Sequence, residues 1–337
     1  MDKKQLMDAF MANETPAHAP VGFWHHFVSF HDHYGYQDPA VYDAVVSGQK
    51  KYIDEVDPDF LKIMSDGFFG HPSVCRKRIA TADDLAGIRS VGPDHEWITR
   101  QVAYVKDICD YAGDGLYKLY NVFSPLQYIR LRFEEFDEDF KKFTGLFRAD
   151  PDAMIHAAQE IAKDVNTLVE RLFEETSVDG IYYSVQSVQD KWTFNRERHD
   201  AVVRPLDLDV LNTINRYSDK NMIHICGYFG YTNDLSWYAD YPVQMFNWAV
   251  HTENVSLAEG KRIFGGKPVL GGFDNRPDTL LYTGTDDQIR AEVCRALDEA
   301  GTAGVGLGAD CTIGDDVPPA RLEMIRRISA EYCAAHR

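Results

Sequence analysis

The sequence lacks the positive charge and the long apolar runs that mark two large classes of protein. Lys and Arg number 35 against 53 Asp and Glu, so the formal net charge is −18. Such an excess of negative charge disfavours contact with a nucleic-acid backbone or an anionic membrane surface. No apolar run approaches the roughly 18 residues of a membrane-spanning helix. We therefore predict neither nucleic acid nor membrane among the partners of this chain.

Cysteine is also sparse, with six among 337 residues. That is too few for the disulfide framework of a secreted protein. Residues 1–11 form a polar, helix-like stretch without the apolar core of a signal peptide. We expect a cytoplasmic protein with reduced thiols. Metal binding, catalysis and plain burial all stay open as roles for individual cysteines.

Apolar runs of strand length alternate with longer stretches of helical period, a pattern typical of parallel α/β folds. The nucleotide-binding motifs Gly-x-Gly-x-x-Gly and Gly-x4-Gly-Lys-Ser/Thr, which would favour a doubly wound sheet, are missing. Eight strand-like runs match the strand number of a barrel. We predict one (β/α)8 TIM barrel over 1–337, with an N-terminal helical extension. The runs are 20–27, 60–66, 116–124, 180–187, 221–228, 244–250, 268–274 and 304–311.

Helix boundaries are marked by capping residues and by proline in the first turn. The predicted helices are 39–56 behind Asp38, 151–175 behind Asp150, 286–300 and 318–336. Ser256 and Glu259 have the spacing of a capping box. The insert 73–114 is the least regular part of the chain, and it is a candidate to cover the barrel mouth or to meet another subunit.

The ends of the predicted strands are rich in residue types that carry chemistry. Reacting groups of a TIM barrel lie at this carboxyl face, so these residues form the candidate site: His25, His26, Asp66, Ser124, Gln186, His224, Cys226, His251, Asp274 and Cys311.

The sharpest pattern in this set is His224-Ile225-Cys226. Residues two apart on a strand point to the same face, which places an imidazole beside a thiol. Cys311, at the end of the eighth run, projects over the same barrel mouth. One histidine and two cysteines suit a catalytic zinc with an open fourth position. The alternative is two small buried cysteines and a hydrogen-bonded core histidine.

The segments MIHICG, FNWAVHTENVSLAEGKRIFGGKPVLGGFD and GADC followed by VPP lie between Asn221 and Pro319. They resemble the uroporphyrinogen decarboxylase superfamily, and most of all its cobamide-dependent methyltransferase branch. PVGFWHHF and KYIDEVDPDFLKIMSD fall where that family has its first two strands. The resemblance implies one (β/α)8 barrel, Zn²⁺ bound by His224, Cys226 and Cys311, and a corrinoid carried by a separate protein.

True uroporphyrinogen decarboxylases carry an Arg-Gln-Ala-Gly-Arg signature at the first strand, since guanidinium groups hold the carboxylates of a porphyrinogen. This chain has Trp24-His25-His26-Phe27-Val28 there, and its first arginine is Arg76. Asp66 matches the family's aspartate at the end of the second strand. Because Asp66 is present but the arginines are missing, the sequence argues against an enzyme of heme biosynthesis. Asp66 is then a candidate to bind a different substrate or to orient a histidine.

Other residues are assigned supporting roles. His25 and His26 alternate across the first strand, so one of them faces the site as a catalytic acid, a base or a hydrogen-bond donor to the substrate. His251 and Asp274 are expected to contact the substrate or the groups behind the zinc ligands, and Gln186 and Tyr183 to contact the substrate. Further candidates for the rim or an apolar wall are His31, His33, Trp24, Tyr182, Trp192, Tyr228 and Phe229.

Three functions follow from these residues. The first is a zinc methyltransferase that moves a methyl group between a corrinoid on a partner protein and a thiol or methyl ether. The second is a decarboxylase acting on a porphyrin or non-porphyrin carboxylate, which needs converging cationic groups and no essential metal. The third is a non-catalytic barrel that binds a tetrapyrrole or a partner protein and has a filled mouth.

Overall fold

The computed structural model describes residues 1–29, 32, 34–75, 78–133, 140–186, 195–227 and 232–336. In these ranges the strands are β1 Val21–Gly22, β2 Phe60–Ile63, β3 Tyr117–Phe123, β4 Gly180–Val185, β5 Met222–Ile225, β6 Met245–Trp248, β7 Val269–Phe273 and β8 Val305–Ala309.

The helices of the same ranges lie between and around the strands. They are α1 Lys3–Met11, α2 Pro39–Val56, α3 Pro72–Cys75, α4 Ala82–Ala86, α5 Glu96–Ala112, α6 Pro125–Leu131, α7 Phe140–Ala149, α8 Pro151–Glu175, α9 Arg196–Arg198, α10 Arg204–Tyr217, α11 Val250–Glu253, α12 Leu257–Ile263, α13 Leu280–Thr283, α14 Asp286–Ala300 and α15 Pro319–Ala335. None of these helices combines the length and the apolar character of a membrane span.

The strands form one parallel sheet in the order β1-β8-β7-β6-β5-β4-β3-β2. β1 and β2 are the ends of this order, and the Val21 N–H donates to the Asp59 carboxylate just before β2 at 2.8 Å. The sheet therefore curls into a (β/α)8 barrel, which confirms the predicted fold class. Met7 and Phe10 of α1 pack against residues of the barrel interior, so the N-terminal extension covers one end.

Local chemistry accounts for the helix starts. The Asp38 carboxylate accepts the Ala40 N–H before α2, and the Asp150 carboxylate accepts the Ala153 N–H before α8. Both helices also have proline in the first turn, where its missing N–H costs nothing. The Ser256–Glu259 capping box forms with both of its hydrogen bonds. These starts agree with the boundaries predicted from the sequence.

The insert 73–114 is more regular than the sequence analysis expected, because it contains the long helix α5. This helix begins at His95, whose Nδ1 accepts the Trp97 N–H, and buries one side that includes Trp97 and Tyr104. α5 packs against α2 and α8 in the outer layer. The segment thus supplies part of the ordinary crossover between β2 and β3.

Two glycines shape the floor of the barrel interior. A Cβ atom on Gly22 would lie 2.3 Å from the Phe60 ring, and one on Gly308 would lie 2.6 Å from the Gly22 carbonyl oxygen. Their lack of side chains lets Phe60 and Leu270 fill the interior, which is packed with apolar side chains at this level. The space left for a ligand lies farther along the strands, toward their carboxyl ends.

Candidate active site

A cleft of about 130 Å³ lies at the carboxyl ends of the strands. It opens next to β2, β3, β4 and β5, where a TIM barrel carries its reacting groups. Its lining mixes apolar and chemically reactive side chains: His26, Lys62, Met64, Phe69, Asn121, Phe123, Gln127, Arg130, Leu131, Ser184, Val185, Gln186, His224, Cys226, Cys311 and Thr312.

His224, Cys226 and Cys311 meet in this cleft. One potential ligand atom from each residue lies within 4.8 Å of the others, and His224 is 4% exposed. β5 supplies His224 and leads directly into Cys226, while Cys311 follows β8. The structure thus brings together the histidine and the two cysteines that the sequence pattern singled out.

Asn247 fixes the orientation of the His224 ring. The Asn247 amide nitrogen donates to the carbonyl oxygens of Leu270 at 3.0 Å and Ala309 at 3.3 Å. Its oxygen must therefore accept, and it takes the His224 Nδ1–H at 2.5 Å and the Tyr182 hydroxyl at 2.7 Å. This assigns the proton of His224 to Nδ1 and leaves Nε2 as a bare acceptor.

The chemistry of this donor set fits a zinc ion. His224 Nε2 is buried and forms no hydrogen bond within the described residues, and a buried acceptor without a partner calls for an explanation such as a metal. The Cys226 thiol beside it, together with His224 and Lys62, holds the pKa of Cys311 well below its ordinary value. Zinc binds imidazole nitrogen and cysteine sulfur, and a thiol with a lowered pKa such as Cys311 loses its proton to the metal more readily.

Lys62 is a cleft residue that the sequence analysis did not select. Its side chain comes from β2, is 7% exposed, and places Nζ 4.1 Å from the Tyr182 ring centroid and 4.7 Å from that of Trp24. Burial lowers the pKa of Lys62 to about 8, against the opposing effect of Cys311, Asp66 and Cys226. The sequence feature that could have identified Lys62 is its position as a charged residue inside the apolar run FLKI.

Asp66 lies behind the cleft and orients His26. The Asp66 carboxylate is fully buried, accepts the His26 Nδ1–H at 2.7 Å, and accepts the Phe27 N–H at 2.7 Å. His26 itself lines the cleft with one third of its side chain exposed. The pair resembles the carboxylate–histidine arrangement of many general bases.

His25 faces away from this cleft. Its Nδ1 hydrogen-bonds the His26 carbonyl oxygen at 2.9 Å, and its ring packs against Phe27 and Tyr52. It lines a second cavity of about 250 Å³ between α2 and the loop after β8. Of the two neighbouring histidines, His26 is thus the one placed beside the zinc-ligand candidates.

Gln186 lines the cleft together with Gln127. The Gln127 amide nitrogen donates to the Gln186 oxygen at 3.3 Å. These two residues and Arg130 also line a much smaller cavity of about 10 Å³ behind the cleft. Arg130, which is 3% exposed, gives this wall a positive charge that the sequence analysis did not place there.

Tyr183 does not reach the cleft, contrary to the expected substrate contact. Side chains alternate along a strand, and on β4 it is Tyr182 that points to the interior, where its hydroxyl meets Asn247. Tyr183 lies between the sheet and the helices, and its hydroxyl donates to Asp207 at 3.0 Å.

His251 and Asp274 also lie away from the zinc-ligand candidates. Asp310 accepts the His251 backbone N–H at 2.8 Å and lies 3.1 Å from His251 Nδ1. This contact with Asp310 raises the pKa of His251. Asp274 pairs with Arg276 instead, and neither His251 nor Asp274 lines the cleft. Five further candidates fall outside the described residues, namely His31, His33, Trp192, Tyr228 and Phe229.

No protein-family model and no curated protein matches this sequence. Solved structures of similar fold include a putative vitamin-B12-independent methionine synthase from Listeria monocytogenes, with 14% identity over 93% of this chain and 96% of that one and a TM-score of 0.50. A GH5_18 enzyme from Streptomyces cattleya, in complex with Manb1-4GlcNAc, has 14% identity over 95% of this chain and 81% of that one, also with a TM-score of 0.50. Such likenesses establish the barrel fold, and the choice among its many chemistries depends on the side chains of the site.

Proposed function

We propose that this chain is a zinc-dependent methyltransferase of the uroporphyrinogen decarboxylase superfamily. It would move a methyl group between a corrinoid on a separate protein and a thiol or methyl ether bound in the cleft. The observation that carries the proposal is the group of His224, Cys226 and Cys311, in which the buried His224 Nε2 has no hydrogen-bond partner within the described residues.

The three side chains would hold the metal and leave one position toward the cleft. Zinc bound there supplies Lewis acidity, which keeps a sulfur ligand as a thiolate or polarises an ether oxygen. Asn247 keeps the His224 ring in the ligating orientation, a role that usually belongs to hydrogen-bond partners behind a metal ligand.

His26 would act as the general base or general acid of the reaction. Because the Asp66 carboxylate accepts from Nδ1, His26 Nε2 is left as the basic nitrogen. It can take a proton from an incoming thiol or return one to a departing alkoxide. Asp66 touches His26 rather than the cleft, so we assign it a positioning role.

The methyl group would pass as a CH₃⁺ equivalent between sulfur and the corrinoid donor. The new S–C bond uses a sulfur electron pair, and the electron pair of the broken bond stays with the donor. The Listeria barrel of similar fold is named vitamin-B12-independent, so the corrinoid partner, docked at the barrel mouth, is supported by the sequence resemblance alone.

A decarboxylase is the second candidate, and one observation favours it. Lys62 and Arg130 both line the cleft and are both buried, so a carboxylate substrate bound there would lie beside two cationic side chains. In that case Asp66 and His26 would supply the proton that replaces the lost carboxyl group. This chemistry has no need for the metal.

Zinc content separates the two candidates. We expect about one zinc per chain in the purified protein, and its loss in Cys226→Ser and in Cys311→Ser, because each removes one of three ligands. Cys294→Ser is the matched control, since Cys294 is a partly buried free cysteine on α14, away from the cleft. Methyl transfer from free methylcobalamin to 2-mercaptoethanol should follow the zinc content.

Zinc that both cysteine variants retain would contradict the proposed site. A zinc-free wild type that releases CO₂ from a carboxylate substrate would replace the methyltransferase with the decarboxylase. If zinc-free protein transferred methyl groups at the full rate, the activity would not depend on zinc.

A further inference from the structure

Lys62 is a charged group in the cleft that no contact within the described residues accounts for. It is 7% exposed, and its ammonium forms no hydrogen bond or ion pair with any part of the chain that the structure describes. Two aromatic rings, those of Trp24 and Tyr182, cover one side of it. Its other neighbours include the zinc-ligand candidates, which line the same cleft.

A structural role alone explains this arrangement poorly. Burying a charge without a partner costs free energy, and contact with aromatic faces recovers only part of it. Asp66 is the carboxylate near Lys62, but its two oxygens already accept from His26 and the Phe27 backbone. We therefore expect the ligand that occupies the cleft to supply a negative charge close to Lys62.

Counting charges shows what that occupant should be. Two thiolates would offset the double positive charge of zinc, and an imidazole that binds the metal through Nε2 while donating its Nδ1–H to Asn247 adds no charge. With a neutral fourth ligand, Lys62 would have no anion in direct contact within the described residues, because the Asp66 charge acts on it without an ion pair. An anionic fourth ligand would bring the sum for metal, ligands and Lys62 to zero.

We propose that Lys62 makes the open metal position selective for an anionic ligand, a thiolate in preference to a neutral ether. This inference rests on the proposed function. It sets the direction of transfer as onto sulfur, with the thiolate forming the S–C bond and the donor keeping the electron pair of the bond that breaks. Lys62 is thus a specificity-determining residue.

Cobalt(II)-loaded protein provides the test, because its visible absorption changes when the fourth ligand changes. The probes are azide as the anion and imidazole as the neutral ligand, titrated into wild type, Lys62→Met and Lys62→Arg. We expect Lys62→Met to weaken azide binding about 10- to 100-fold, the effect of one unit charge several ångströms away at an effective dielectric of about 20. Imidazole binding should change less than about 2-fold, and Lys62→Arg should restore most of the azide affinity.

Lys118→Met is the matched control. Lys118 is a buried lysine on the neighbouring strand β3 whose Nζ donates to the Gly113 carbonyl oxygen at 3.0 Å, and it does not line the cleft. It should leave both probes unaffected.

The cobalt content, measured first, separates the possible failures. Stoichiometric cobalt with equal azide affinity in wild type and Lys62→Met would overturn the role of Lys62 and leave the metal site standing. Azide and imidazole weakened together would also overturn it, because that pattern indicates a distorted site rather than a lost charge. Wild type that binds no cobalt would remove the proposed function and this inference with it.

Discussion

Two buried clusters in this molecule contain the residue types of catalysis, and they differ in what surrounds them. The first is His224 with Cys226 and Cys311 in the cleft. The second is His71 with Ser73 and Asp164 in the outer layer, where His71 Nδ1 lies 2.7 Å from the Ser73 hydroxyl oxygen and Nε2 lies 3.2 Å from the Asp164 carboxylate.

The outer cluster looks like a Ser-His-Asp triad but lacks the space to act as one. Its three side chains are 0%, 7% and 1% exposed, and none lines any of the three cavities described above. Asp164 also accepts hydrogen bonds from Ser90 and from the backbone N–H groups of Val91 and Gly92. Through these hydrogen bonds, Asp164 attaches the 88–92 segment to α8.

The two clusters differ in what their polar groups contact. The carboxylate of the outer cluster accepts its hydrogen bonds from the protein, and His71 Nε2, which has no hydrogen bond in the described residues, faces that carboxylate. His224 Nε2 also has no hydrogen bond in the described residues, but it lies in a cleft that Cys226, Cys311 and Lys62 line as well. Catalytic residue types that lie close together therefore do not by themselves define a functional site. A functional site also needs an accessible cavity and a polar atom that faces it without a hydrogen bond in the described residues, as His224 Nε2 does.

The largest effects should separate the two clusters completely. Asp164→Ala removes a buried carboxylate that binds four groups, so we expect it to lower the free energy of unfolding by about 3–5 kcal/mol with zinc content unchanged. Cys226→Ser should do the reverse, abolishing zinc binding while changing the stability of the zinc-free protein by less than about 1 kcal/mol. Urea unfolding and metal analysis of both variants measure this. Loss of zinc in folded Asp164→Ala would show that the clusters are coupled.

Asp207, in the same outer layer, should give stability a pH dependence. Burial raises the pKa of Asp207 to about 7, although the Tyr241 and Tyr183 hydroxyls oppose the rise. The folded state then holds a proton that the unfolded chain releases near pH 4. Its contribution to stability therefore falls as pH rises toward 7 and levels off above that value.

Asp207→Asn removes this titration. Relative to wild type, it should gain about 2–3 kcal/mol in unfolding free energy between pH 5 and pH 8. Urea titrations at both pH values give the difference, and a constant gap between the two proteins would show that Asp207 is charged throughout.

The fold was largely predictable from the sequence because its signals are local. Proline and capping aspartates mark the starts of α2 and α8, and eight apolar runs give the strands. Helix α5 was not predicted, because it lies in a stretch where the apolar runs between turn signals are short. Its buried face alternates with charged residues such as Glu96 and Lys106.

The candidate site was predictable only in part. The spacing of His224 and Cys226 predicted that they share one strand face, and Cys311 was selected because it ends the eighth apolar run; the family resemblance then matched all three. Asn247 and Lys62 act through contacts between different strands, with Tyr182 and His224 for Asn247 and with Trp24 and Tyr182 for Lys62. Such contacts depend on the barrel register and leave no spacing pattern in the sequence.

Asn247 offers a finer test of the cleft cluster. Asn247→Leu removes the acceptor of the His224 Nδ1–H, so we expect zinc affinity to fall about 10- to 100-fold while the three ligands stay in place. Tyr182→Phe is the control, since it removes another hydrogen bond to the same oxygen and leaves His224 bonded. Chelator competition measures both variants. Equal affinities in wild type and Asn247→Leu would show that the ring needs no support from this residue.

The smallest effect should come from Ser73, and it decides whether the outer cluster has any chemistry of its own. Ser73→Ala removes one buried hydrogen bond to His71, so we expect a loss of about 1 kcal/mol in unfolding free energy with zinc content and methyl transfer unchanged. Burial lowers the pKa of His71, which keeps the ring neutral, yet a hydroxyl that no substrate can reach gains nothing from a neutral base beside it. Labelling with a serine-directed fluorophosphonate should likewise be the same in wild type and Ser73→Ala. Labelling lost in the variant would make the outer cluster a second reactive centre.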